Sequence, residues 1–206
     1  MFAITCVKCP RLANFLSAGR DKYPNYFCRP VPSFGASRPR LLIVGLAPGW
    51  HGANATGRPF TGDYCGTLLY QTLHRYGFAS QPMSLPGDAL QLLDARLTNA
   101  VRCVPPENKP TPLEVSTCNQ YLLEELQDLP EGALVLALGV VAHQAVIKAQ
   151  KLRQAQHKFS HGAVHALPGF TLFDSYHVSR YNTNTGRLTE AMFHQIFDAI
   201  KNKMQS

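Results

Sequence analysis

Leu41-Leu42-Ile43-Val44 is an apolar run without alternation, the pattern of a strand buried on both faces in a parallel sheet. Arg96-Leu97-Thr98-Asn99-Ala100-Val101 reads as a second strand, Ala133 to Leu138 as a third ended by Gly139, and Thr171 to Asp174 as a fourth. Helical patterns lie between them. Leu69, Leu73 and Tyr76 share one face of a helix closed by Gly77. Thr111-Pro112-Leu113-Glu114 is a capping box with proline at the first helical position, opening a helix to about Asp128. Another helix runs from about Val141 to Lys151, and Thr189 caps a last one to about Asn202. Near the start, the amphipathic run Leu12 to Leu16 precedes an ordered loop over residues 19 to 40, and residues 79 to 94 form a second loop. Strands alternating with helices predict an α/β protein: a three-layer α/β/α sandwich around a central four-stranded parallel sheet. Neither a repeat nor a linker divides it, so residues 1 to 206 read as a single domain.

Right-handed crossovers gather the strand-end loops on one edge of such a sheet, where ligands bind. Those loops carry residues 45 to 63, Asn99 and His177. Glycines at 45, 49, 52, 57 and 62 allow close backbone approach there, while Pro48 and Pro59 fix φ between them.

The formal charge of +7 suits a polyanionic partner, although mild basicity is also common without one. No stretch approaches the ~18 apolar residues of a membrane span, which argues against a membrane partner. The start lacks a signal peptide's charged region and long apolar core, so the expectation is a cytoplasmic protein. In that reducing compartment six cysteines favour metal, catalysis or burial over disulfides. Cys6 and Cys9 form C-x2-C, and Cys103 and Cys118 follow with fourteen residues between them. Four thiolates close a tetrahedral zinc site or hold a [4Fe–4S] cluster, and spacing does not choose between them. Buried, unliganded cysteines are the bland alternative. Cys28 and Cys65 fall outside the pattern and read as spare thiols, Cys65 lying within the site loop.

Gly45-Leu46-Ala47-Pro48, followed by Thr56-Gly57-Arg58-Pro59-Phe60-Thr61-Gly62-Asp63, resembles the first motif of the uracil-DNA glycosylase superfamily. The segment from His177-Val178-Ser179-Arg180-Tyr181-Asn182 through Thr183-Asn184-Thr185-Gly186-Arg187-Leu188 resembles its distal motif. Leu46 and the Asn-Thr-x-Thr-Gly-Arg ending are similar to family 5; family 4 carries a glutamate at the place of Leu46. The resemblance covers the chain from Cys6 to about Leu188 and implies removal of uracil, hypoxanthine and other deaminated bases from DNA. It also implies a structural [4Fe–4S] cluster on Cys6, Cys9, Cys103 and Cys118.

Each residue has a reading in its own chemistry. Extruding a base requires stacking it and reading its edge. Phe60 supplies a ring, stacked on uracil in the family, or is a core aromatic. Asn99 offers a donor and an acceptor to O4 and N3–H, or caps a strand end. His177 can donate to the charge developing at O2, helped by backbone N–H groups of the 45–49 loop, in which Gly45, Leu46, Ala47 and Pro48 are the expected substrate contacts. Asp63 resembles the family 5 base, and is equally a helix N-cap. Arg180, Tyr181 and Asn182 form a candidate minor-groove wedge, with Arg58 and Arg187 as phosphate contacts or solvated surface. The expected partner is double-stranded DNA, engaged by a monomer. Competing readings are a nucleic-acid-binding module of the same fold without turnover, a family 4-like enzyme, and an unrelated phosphate enzyme using the 45–49 loop. No Walker or dinucleotide glycine motif supports the last.

Overall fold

The computed structural model describes residues 2–205. Helix α1 (Pro10–Lys22) is followed by the short strand β1 (Phe34–Gly35), then β2 (Leu41–Gly45), the single turn α2 (Ala53–Thr56) and α3 (Tyr64–Arg75). Strand β3 (Ala95–Asn99), α4 (Pro112–Gln127), β4 (Ala133–Leu138) and α5 (Val140–Ala149) come next. The chain closes with β5 (Val164–Leu167), β6 (Phe170–Ser175), α6 (Arg180–Asn184) and α7 (Glu190–Gln205).

The sheet order is β1-β3-β2-β4-β6-β5. The four inner strands are parallel, with Gly45 paired to Asn99 and Leu138 to Ser175 at their carboxyl ends. Alternate residues of the apolar runs face opposite layers. Leu41, Ile43, Leu97 and Leu136 pack with Leu69 and Leu73 of α3 and Phe193 and Phe197 of α7. Leu42, Val44, Val135 and Leu172 pack with Leu122 of α4 and Ala142 and Val146 of α5. Both faces are covered, which is why these strands carry no polar alternation.

The four parallel strands stand as expected, but the sheet has six. β1 and β5 add antiparallel edges to β3 and β6. Edge strands leave one side and one face in water, so they lack a continuous apolar signature. Helix α1 also runs two turns past the amphipathic run, to Lys22. The Thr111 capping box is formed, and Thr189 accepts from the Met192 N–H at the start of α7.

Candidate active site

The carboxyl ends of β2, β3 and β6 open on one cavity of about 470 Å³. Leu46, Ala47, Phe60, Asp63, Asn99, His177 and Arg180 line it, with Tyr64, Cys65, Asn108 and Ser179. Asn99 ends β3, and the bonds Ala100 N–H to Gly45 O (2.9 Å) and Val101 N–H to Leu46 O (3.0 Å) prolong the β2–β3 pairing past it. Gly45 and Pro48 are buried behind the wall instead of lining it. A Cβ at Gly45 would stand 2.5 Å from Asn99 Oδ1 and 2.5 Å from Phe60 Cζ. Gly45 therefore contributes space: it lets the amide and the ring reach the cavity together. Phe60 holds φ +54°, in the left-handed region. Its ring lies 6.4 Å from that of His177, centroid to centroid.

Asp63 caps α3 and lines the cavity at once. Its Oδ1 accepts from the Gly66 N–H at 3.2 Å and caps α3. Its Oδ2 lies under the glycines of the loop, 2.3 Å from where a Cβ of Gly52 would stand. Burial raises the Asp63 pKa, and the Gly66 and Cys65 N–H groups hold it back. His177 also lines a second cavity of about 330 Å³, shared with Leu46, Tyr176 and Arg187. Burial pulls its pKa down to about 4. It is thus a neutral imidazole at neutral pH, able to donate a hydrogen bond without a charge. Cys65 is driven the other way, to about 12, by burial and by Asp63, so it stays a thiol.

The distal segment is a short helix with Tyr181 exposed. Arg180 stacks over the Tyr64 ring at 5.0 Å, and the Thr183 hydroxyl donates to the Tyr64 hydroxyl at 3.2 Å. Tyr64 thereby clamps α6 to the start of α3, a role visible in the sequence only as its adjacency to Asp63. Asn108 stands in a loop with no motif around it. Asn182 was expected on DNA, but its amide donates to His177 O at 2.8 Å and shapes the loop. Arg58 is a clearer correction. Its guanidinium bonds to Asp88 and Ser84 and lies 4.6 Å over Phe34, so it is spent inside the fold rather than offered to phosphate. Arg187, 4.6 Å over the Tyr176 ring, remains at the surface.

Cys6, Cys9, Cys103 and Cys118 converge on a small cavity walled by Phe2, Leu12, Val101 and Tyr121. The Arg102 N–H points to Cys118 Sγ at 3.4 Å, and the Tyr121 hydroxyl lies 3.3 Å from Cys6 Sγ. Burial, then the three other thiols, push Cys103 up to about 12; burial pushes Cys118 to about 11. The four fit a ligand set that needs a cation to become thiolate. Among the described residues, the one group of three ligating atoms that all lie within 4.8 Å of one another is His143, His165 and Asp174.

Residues 32–201 match the model of the uracil DNA glycosylase superfamily. The chain belongs to the uracil-DNA glycosylase superfamily. It is 50% identical to a type-5 uracil-DNA glycosylase of Thermus thermophilus, over 95% of this chain and 92% of its relative. Pyrobaculum aerophilum offers an internal comparison. Its type-5 uracil-DNA glycosylase is 40% identical over 90% of this chain and 83% of its own. Its type-4 uracil-DNA glycosylase is 32% identical over 70% of each. The branch is thus type 5, as Leu46 and the distal ending implied. No described helix is long and apolar enough to cross a membrane.

The position of Arg58 has a measurable consequence. Removing one partner of a buried pair costs about 3–5 kcal/mol, and slight exposure of this one reduces that to about 2–3 kcal/mol. Arg58→Ala should lower stability by that amount in urea titration. It should leave the salt slope of DNA binding unchanged; a slope reduced by about one phosphate contact would restore the DNA role.

Proposed function

We propose that the protein hydrolyses the N-glycosidic bond of uracil, and of hypoxanthine and other deaminated bases, in double-stranded DNA to leave an abasic site. The observation that carries this is the meeting of Phe60, Asn99, Asp63 and His177 in one cavity of a type-5 family member. Phe60 stacks on the extruded base. Asn99 accepts from N3–H and donates to O4. The C1′–N1 bond breaks with its electron pair leaving on the base, where His177 donates a hydrogen bond to O2. Water bonds to C1′, and its proton passes to the Asp63 carboxylate. Leu46 contributes no charge, which leaves the wall beside the base apolar and tolerant of more than one base. Tyr181 fills the vacated stack, with Arg180 and Arg187 near phosphate. The protein acts as a monomer.

Cys6, Cys9, Cys103 and Cys118 would hold a [4Fe–4S] cluster. Four thiolates also suit a single zinc, so the preference for the cluster rests on the family resemblance. The cluster would supply the charge that keeps the four as thiolates and would tie the N-terminus to β3 and α4.

Three outcomes are expected. Asp63→Asn and His177→Ala should each slow single-turnover uracil release at least ~10-fold, within the ranges for a lost base or oxyanion donor. In the wild type the rate should fall as pH drops through the raised Asp63 pKa, because only the carboxylate accepts a proton. His177, neutral down to about 4, should add no second limb near neutrality. If Asp63→Asn keeps the wild-type rate and profile, Asp63 is only a cap. Tyr181→Ala should slow release from paired uracil more than from single strands, since only the duplex needs a wedge; equal losses would remove that role. Anaerobically purified protein should absorb near ~400 nm and carry about four irons per chain. Stoichiometric zinc without iron at the cysteines would overturn the cluster.

A further inference from the structure

Four of the eight histidines, His143, His157, His161 and His165, crowd the sheet edge away from the cysteines. Asp174, fully buried on β6, stands between two of them. His143 Nδ1 from α5 lies 2.8 Å from its Oδ1, and His165 Nε2 from β5 lies 3.0 Å from its Oδ2. The three ligand atoms all lie within 4.8 Å of one another.

We propose that His143, His165 and Asp174 form a binding site for one divalent transition-metal ion, with zinc the best chemical match. Two imidazoles and a carboxylate are a borderline donor set, suited to zinc rather than to magnesium or calcium. Around a tetrahedral zinc with bonds of about 2.0–2.1 Å, neighbouring donors are about 3.3 Å apart. The two His–Asp contacts, made to different carboxylate oxygens, would open by a few tenths of an ångström and the wider separations, up to 4.8 Å, would close onto the ion. The outer shell is already built: the second ring nitrogen of His143 meets the His157 carbonyl at 2.7 Å. With Nε2 held on that carbonyl, an ion that displaces the Nδ1–Asp174 contact meets Nδ1, the usual arrangement for a ligating imidazole. Phe159, 5.7 Å from the His143 ring, closes the apolar side, and the partly exposed His165 gives access from the sheet edge. The fourth position is open to water. The three ligands come from α5, β5 and β6, so an ion there pins the edge hairpin and the helix to the strand that leads into His177. The role is structural and does not depend on the glycosylase reading.

The test uses untagged, full-length, cluster-loaded protein, expressed with zinc in the medium, then incubated with zinc chloride and desalted. Elemental analysis should give about one zinc per chain beside the iron. His165→Ala and Asp174→Asn should each lose that zinc while keeping iron and the cluster's visible absorption. Cobalt in the same place should show weak ligand-field bands without the intense thiolate charge transfer of a sulfur site. Three results would overturn the proposal: no retained zinc in the wild type, equal zinc in wild type and His165→Ala, or cobalt with thiolate charge transfer. The first leaves a metal-free His143–Asp174 ion pair, and the last puts the ion on the cysteines. Loss of iron with zinc still dependent on His165 would fail the cluster and sustain this site.

Discussion

The missing side chain at Gly45 is the constraint from which the active site follows. β2 and β3 run parallel in register to Gly45 and Asn99, so their last residues are neighbours on the edge where the cavity opens. Any Cβ at Gly45 would collide with both the Asn99 amide and the Phe60 ring. Phe60 has to reach that point from the next loop, and does so with positive φ, a conformation costing about 1–3 kcal/mol in a residue with a side chain. Packing holds it there. The Tyr70 hydroxyl donates to the Pro59 carbonyl at 2.9 Å, and Gly66 lies so close that a Cβ would stand 2.0 Å from Phe60 O. The glycine-rich loop is therefore less a flexible segment than one from which side chains have been removed to let others converge.

The electrostatics divide along the same cavity. Burial moves Asp63 up and His177 down, and both shifts favour neutral forms. For the proposed role of His177 neutrality is the working state, since a donor to a developing anion gains from a dry, preorganised setting. For Asp63 it is a cost, partly offset by the N–H groups that cap onto its carboxylate. One oxygen of this carboxylate closes a helix, and the other lies under the glycines of the cavity loop. The cap and the proposed base role thus draw on the same carboxylate without excluding each other.

The parallel core was legible because a strand covered on both faces must be apolar throughout, and Leu41 to Val44 and Ala133 to Leu138 are. β1 and β5 were not. The first has two residues, and the second exposes Val164 and Ala166, so neither carries an apolar run. Phe60, Asp63, Asn99 and His177 were legible because each ends or follows a core strand. Arg58 misled because its partner, Asp88, is thirty residues away in an unpatterned loop. His143, His165 and Asp174 carry no spacing signal, since three separate elements bring them together.

The run from Asn99 to Cys103 links the two halves of the molecule. Three residues lie between Asn99, proposed to read the base, and Cys103, a proposed cluster ligand, and the backbone N–H of each is hydrogen-bonded. Arg102, nearly fully buried, pairs with Glu125 at 2.6 Å and donates to Ser33 at 2.7 Å, while the Thr98 hydroxyl donates to the same carboxylate at 2.7 Å. Its backbone N–H points to Cys118. A buried ion pair of this kind adds little net stability against an apolar isostere, but it tolerates few alternative geometries. Asn99 therefore inherits its position from two anchors: the Gly45 pairing on one side, and the Arg102–Glu125 pair with the cysteine site on the other.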